Sequence, residues 1–263
     1  MRVSAVSYLN TWPLIWGFQH GPERGLFEFR FDLPAQCAAA LASGEADIGL
    51  VPSAELDRLG LDFFPDVGIA CEGPVRSILL VSRVPADSIR TLAVDSGSRT
   101  SVALARIILG ERYGCFPEVF AHEPVLDRML ARAEAALVIG DPALRLDPAE
   151  LGMATLDLGE EWVRWTGLPM VFAVWAGRPE KLGGPAREAF ICSWQWGRDH
   201  IDEIVRQAAD ERGFPEPLAR EYLTRHIQYR LGPEHLDGLA KFRALARALP
   251  SSAVRLKPPL QVV

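Results

Sequence analysis

The stretch Thr91-Leu92-Ala93-Val94-Asp95-Ser96-Gly97-Ser98-Arg99-Thr100-Ser101-Val102-Ala103-Leu104-Ala105 decides how the rest of the chain is read. A short apolar run, Leu92 to Val94, enters a small polar turn, and an amphipathic helix leaves it with Val102, Ala103, Ile107 and Ile108 on one face. Strand, polar turn and helix in that order put a helix N-terminus at the carboxyl end of a strand, where open α/β sheets bind ligands. The hydroxyls of Ser98, Thr100 and Ser101 then stand beside unpaired backbone N–H groups and the positive end of the helix dipole. A carboxylate or phosphate fits there without any lysine. The alternative is that one of these hydroxyls is an ordinary helix cap, although three of them beside the Arg99 guanidinium exceed what a cap requires.

The same pattern recurs on both sides. Arg2 to Ser7 alternates as a strand, Tyr8 to Pro13 turns the chain, and Leu14 to Phe18 begins a helix. Phe27 to Leu33 reads as a strand followed by a helix from Ala35 to Ala42, and Asp47 to Val51 as a buried strand from which Pro52-Ser53 opens a short helix. Val67–Ala70 and Val75–Ser82 read as two strands joined by Cys71 to Pro74, with Arg76 and Ser77 opening the second. Beyond the opening stretch come a strand near Glu118 to Ala121, a helix from Val125 to Ala133, and the apolar strand Ala135 to Ile139, which ends at Gly140-Asp141-Pro142. Glu160 to Trp165 is a short helix and Met170 to Ala176 an apolar return strand. Helices are expected over Ala186–Ala209, Pro217–Arg230 and Pro233–Leu249, with Ser251–Val263 as a strap over the surface.

This is an α/β chain of two lobes. Residues 1–84 with 175–263 form the first, residues 85–174 are inserted as the second, and a crossing falls near residues 82–88. Two crossings imply a central cleft that closes by hinge motion. Ser7, Tyr8, Asn10, Thr11, Ser53, Arg76 and Ser77 would face Ser98, Arg99, Thr100, Ser101, Gly140 and Asp141 across it. Asn10, Thr11, Ser53 and Asp141 are each either a ligand contact or the cap of the helix that follows.

Bulk properties narrow the function classes. Over 263 residues the formal net charge of −6 comes from interspersed acids and bases, so no basic stripe offers a nucleic-acid groove, and a small ligand is the expected partner. Cys37, Cys71, Cys115 and Cys192 lie far apart with no CxxC spacing, which reads as free thiols rather than a zinc site or a disulfide framework. The first ten residues carry one basic side chain and only a short apolar stretch, and no apolar run is long enough to span a bilayer. A cytoplasmic protein is expected.

The stretches Ser7-Tyr8-Leu9-Asn10-Thr11, Gly44 to Ser53, Ser98 to Leu104, Ile139-Gly140-Asp141, Asp157 to Trp162, Thr166-Gly167-Leu168-Pro169 and Phe172 to Trp175, in this order and spacing, resemble the chorismate dehydratase family. The resemblance covers roughly residues 2 to 176 in motif order, and the helices beyond match only in length and character. It implies a periplasmic-binding-protein type II-like fold used as a cytoplasmic enzyme of the futalosine route to menaquinone. The implied reaction is dehydration of chorismate to 3-[(1-carboxyvinyl)oxy]benzoate, with no metal and no organic cofactor. Two other readings stand beside it. One is the 1,4-dihydroxy-6-naphthoate synthase of the same pathway, whose start and rim motifs differ from the Ser-Tyr-Leu-Asn-Thr stretch here. The other is a solute-binding protein that only captures a small carboxylate, since a shared fold does not decide function. Neither terminus offers helix-turn-helix material for a DNA-binding regulator.

Chorismate carries two carboxylates and a ring hydroxyl. One carboxylate would take the Ser98 to Ser101 helix start and the other Ser53 or Arg76-Ser77, coupling binding to closure, with Arg76 or Arg99 adding a bidentate contact. The reaction removes the C3 proton and the C4 hydroxyl. Because that proton is vinylogous to the ring carboxylate, hydrogen bonds stabilising charge there lower the barrier. Asn10 would orient the enolpyruvyl group or the leaving hydroxyl. The base is either the substrate's own enolpyruvyl carboxylate or Asp141. His20, His122 and the histidines of the C-terminal helices lie off these motifs.

Overall fold

Strand β1 (Arg2–Val6) is buried from Val3 onward because it lies inside a sheet, parallel to β2 (Glu28–Asp32) on one side and β3 (Ile48–Pro52) on the other. The structure is a computed structural model that describes residues 1–95 and 97–249. Helices α1 (Trp12–His20) and α2 (Pro34–Ser43) carry the chain between these strands, each with a proline in its first two positions, where a missing N–H costs nothing. After the short helix α3 (Leu56–Leu59), the long strand β4 (Asp62–Cys71) joins the same sheet.

The second sheet is built from β5 (Ile78–Ser82), β6 (Thr91–Asp95), β7 (Glu118–His122), β8 (Ala135–Ile139) and β9 (Ala154–Asp157), in the order β7-β6-β8-β5-β9. β6 is parallel to β7 and β8, whereas β5 is antiparallel to β8 and β9. Its helices are α4 (Thr100–Tyr113), α5 (Leu126–Leu130), α6 (Gly140–Leu144) and α7 (Leu158–Thr166). The chain then returns through β10 (Met170–Gly177), antiparallel to β3 and β4.

This topology shifts the expected crossings. β5 belongs to the second sheet, so the chain first crosses at residues 72–77, not 82–88, and Arg76 and Ser77 sit in the crossing itself. β10 starts at Met170, so the return comes before the expected boundary at 174 and 175. The physical reason is that every residue of β5 is buried, and a strand covered on both faces shows no alternation that assigns it to one sheet.

The C-terminal region is helical with two departures. A long helix expected over Ala186–Ala209 is two, α8 (Gly184–Asp199) and α9 (Ile201–Arg212), divided at His200. The helix expected over Pro217–Arg230 is α10 (Glu216–Glu221), a π-helical turn Tyr222–His226, and the strand β11 (Gln228–Arg230), which pairs with β4 and completes the sheet order β11-β4-β10-β3-β1-β2. α11 (Pro233–Ala248) closes the described chain, and the expected strap Ser251–Val263 lies outside the described residues.

α8 docks these helices on the first sheet. A Cβ on Gly197 would lie 2.1 Å from the Pro13 carbonyl oxygen, so glycine there is what lets α8 meet α1. Ser193 Oγ donates to the Leu14 carbonyl (2.9 Å) at the same contact. Phe190 sits within 5.5 Å, centroid to centroid, of Phe18, Phe27, Phe64 and Trp175. Burial of each such ring is worth about 1.5–3 kcal/mol. Cys37, Cys71 and Cys115 are buried and Cys192 partly so, all four as free thiols. Among the described residues no helix is long and apolar enough to cross a membrane.

Candidate active site

The turns leaving β1, β3, β6 and β8 converge with the Val75–Ser77 crossing around a concave, mostly apolar cavity, the form of a small-molecule site. Its walls are largely apolar, with Val6, Ile69, Val75, Ile139 and Phe172 among them. Arg99 is the charged residue of that wall, and no carboxylate or imidazole is part of it among the described residues.

The β6–α4 turn supplies the anion-binding side. Among the described residues no side chain caps α4, so its first N–H groups have no side-chain acceptor there, and Ser98 Oγ is buried without a partner. Thr100 Oγ1 instead ties the lobes, accepting from the Ala54 N–H (3.2 Å) and donating to the Phe172 carbonyl (3.1 Å). Asp95, at the end of β6, accepts from the Gly97 N–H (2.8 Å), and burial pushes its carboxyl above the usual range.

Opposite stands a buried hydrogen-bond chain. Asn10 Nδ2 donates to Tyr222 Oη (3.0 Å), which donates to Ser77 Oγ (2.8 Å). Asn10 Oδ1 is left buried with no partner among the described residues, and the Ser77 hydroxyl, having accepted, keeps its own proton to give. Burial pushes the Tyr222 phenol up, so it remains a donor across the physiological range. Tyr8 also lines the cavity, its phenol held protonated by burial and by the nearby Asp95 and Asp141. Its ring packs on Gly140, where φ is +63° and a Cβ would come within 2.6 Å of the ring. Only glycine serves at that position.

Asp141, next in sequence, faces away from this cavity's wall. One carboxylate oxygen accepts from the Leu9 N–H (2.9 Å), at the start of the 3-10 turn Leu9–Thr11, and the other is bonded by Arg212 Nη1. Arg212 also donates to the Ser7 carbonyl (2.7 Å) and lies over the Trp12 ring at 4.8 Å. An acid of the second lobe thus satisfies a helix start of the first.

The family model described as menaquinone biosynthesis matches residues 1–248. The chain belongs to that family. A chorismate dehydratase of Thermus thermophilus is 31% identical over 242 residues, covering 83% of this chain and 86% of the relative. Among solved structures, a protein of Archaeoglobus fulgidus superposes with a TM-score of 0.74 at 17% identity, covering 94% of this chain and 96% of its own. The periplasmic aliphatic sulphonate binding protein of Escherichia coli does so at 0.62 and 16%, covering 94% and 86%. These two share the fold, and the two-lobed periplasmic-binding-protein architecture expected from the sequence is the one observed.

Within this menaquinone-biosynthesis family member, Tyr8, Asn10, Ser77, Ser98, Arg99, Thr100, Ser101 and Gly140 line one cavity. The other expected site residues do not. Ser7 contributes its carbonyl to Arg212, and Thr11 is fully buried outside the wall. Ser53 Oγ donates to the Val171 carbonyl (2.8 Å), and Arg76 reaches the Leu146 carbonyl (2.7 Å). Arg76 has a φ of +66°, held by its N–H on Asp157 (2.6 Å), which places its side chain on the second lobe. None of Asn10, Thr11, Ser53 or Asp141 caps its own helix. Sequence reading missed Tyr222, Arg212 and the apolar wall. A π-helical turn such as the one Tyr222 opens is frequent at functional sites, but the turn itself is not visible in the sequence.

Proposed function

We propose that this protein dehydrates chorismate to 3-[(1-carboxyvinyl)oxy]benzoate in the cytoplasm, within the futalosine route to menaquinone. The observation that carries the reading is an apolar cavity between two lobes. Among the described residues, its polar groups without side-chain partners are the donors of the α4 start with Ser98 Oγ and, opposite, the acceptor Asn10 Oδ1, and its wall has no protein carboxylate or imidazole. A dianionic substrate that brings its own base fits such a wall. Family membership and the Thermus thermophilus relative point to the same chemistry.

In this reading the ring carboxylate lies against the first turn of α4, where N–H groups and Ser98 stabilise the charge that develops as the C3 proton leaves. The enolpyruvyl carboxylate, folded over the ring, accepts that proton. Asn10, fixed by Tyr222, accepts from the C4 hydroxyl and positions it, and Ser77 donates a hydrogen bond, keeping its proton, to the departing oxygen. The enolpyruvyl carboxylate passes the C3 proton to the departing C4 hydroxyl, which leaves as water, and the ring becomes aromatic. Asp141 is a poor candidate for the base because both of its oxygens hold the lobes together. Mixing the purified, metal-stripped protein with chorismate tests the proposal. Loss of the diene absorbance with an aromatic product one water lighter by mass is expected, whereas tight binding without turnover would make the protein a carboxylate binder instead.

A further inference from the structure

Behind the Ser98-Arg99 turn lies a second cavity, between the β3–α3 turn, α3, α4 and α11. It shares Ser98 and Arg99 with the substrate cleft, and its other charged lining residues are Arg58, Arg106 and Glu55. Three arginines therefore face one carboxylate. Glu55 is engaged by Arg58 Nε (2.6 Å) and stands 3.7 Å from Arg99 Nε. Arg106 is left over. Its Nη1 is buried with no hydrogen-bond partner among the described residues, and burial alone pulls its guanidinium below the usual range. Residues 250–263, which follow the lining residue Leu249, contain no aspartate or glutamate, so no side-chain carboxylate from that stretch can neutralise it. A buried guanidinium N–H without an acceptor is costly, and a bound water or anion in the cavity would satisfy it.

We propose that this cavity binds a small oxyanion, a carboxylate or a phosphate, on Arg106 and Arg58, and that its occupancy opposes substrate binding in the adjoining cleft. The opposition follows from the shared wall. An anion on the Arg106 side draws the Arg99 guanidinium toward itself and sets a like charge beside the α4 start that receives the substrate carboxylate. Linkage makes the effect reciprocal, so substrate weakens the oxyanion as much as the oxyanion weakens substrate. The kinetic arm of the test rests on the chorismate reading above; the binding arm does not.

Inorganic phosphate and acetate are the probes, at ionic strength held constant with sodium chloride. In the binding arm, Tm of the wild-type protein rises saturably with at least one probe, while Arg106→Met, which keeps the aliphatic stem and removes an unpartnered charge, does not respond. The better probe identifies which oxyanion class the site takes. In the kinetic arm, that probe raises KM for chorismate by roughly fivefold or more with kcat unchanged, and Arg106→Met keeps the basal KM and kcat but loses the effect. If Arg106→Met folds poorly, Arg58→Met serves, with the expectation that the saturating concentration rises at least threefold. Two results would overturn the proposal: no saturable stabilisation by either probe, or an equal rise of KM in wild type and variant, which would place the anion in the substrate cleft itself.

Discussion

The β6–α4 and β8–α6 turns look alike in sequence, each an apolar strand running into a small polar turn with glycine and then a helix. Their fates differ. At Ser98–Ser101 the helix start is uncapped and Ser98 Oγ has no partner among the described residues, so the turn is available to a ligand. At Gly140-Asp141 the carboxylate is bound by Leu9 and Arg212 of the other lobe, and the glycine is a seat for Tyr8. What separates them is the surface opposite. The first turn faces an apolar wall with Asn10 and Ser77, whereas the second meets a buried 3-10 helix start and an arginine. The same local pattern is chemistry in one place and a latch in the other.

The largest expected effect tests the chemical side. Asn10→Ala removes the positioning acceptor and should lower kcat for chorismate about 10²- to 10³-fold, with the Kd of chorismate within about tenfold of wild type. Comparable loss of binding would instead make Asn10 a simple substrate contact. Tyr222→Phe sharpens the comparison from behind the wall. It leaves Asn10 Nδ2 and Ser77 Oγ without their shared partner, so kcat should fall roughly tenfold with KM little changed, alongside a loss of about 1–3 kcal/mol in a denaturant titration. A loss of stability with no loss of kcat would reduce Tyr222 to packing.

The smallest effect separates pH sensitivity of the fold from that of the turns. His235 Nδ1 accepts from the Gly232 N–H (3.2 Å), and Nε2 lies 3.4 Å from Glu72 in the first crossing. Burial lowers its pKa below the ordinary 6.5, so between the folded and unfolded values the unfolded chain binds more protons and stability rises with pH. The contribution is complete above the unfolded value and is lost as pH falls below it. Tm should therefore decline from about pH 7.5 to about pH 5.5, and His235→Gln, which can still accept at the helix start, should flatten that decline by roughly 2 °C or less without altering kcat.

Much of this arrangement was legible in the chain. The repeated strand, polar turn and helix placed Tyr8, Asn10, Ser98 to Ser101 and Gly140 on one rim, because a helix start after a strand has only one place to go in an open α/β sheet. What stayed hidden depends on partners distant in sequence. Tyr222 joins Asn10 and Ser77 across 212 and 145 residues, and Arg212 meets Asp141 across 71. No local pattern encodes such a pairing. β11 is three residues long, too short for alternation to show, and reads as the continuation of a helix. The lobe of β5 is hidden for the converse reason, since burial on both faces erases the alternation that would place it.

The central claim is that the β8–α6 turn holds the lobes while the substrate supplies its own base, and Asp141→Asn tests it most directly. The variant should lose Tm, since breaking the contact with Arg212 costs about 1–3 kcal/mol, and should raise KM, yet keep kcat for chorismate within about tenfold of wild type. Turnover abolished while chorismate still binds with unchanged Kd would make Asp141 the base and contradict the account.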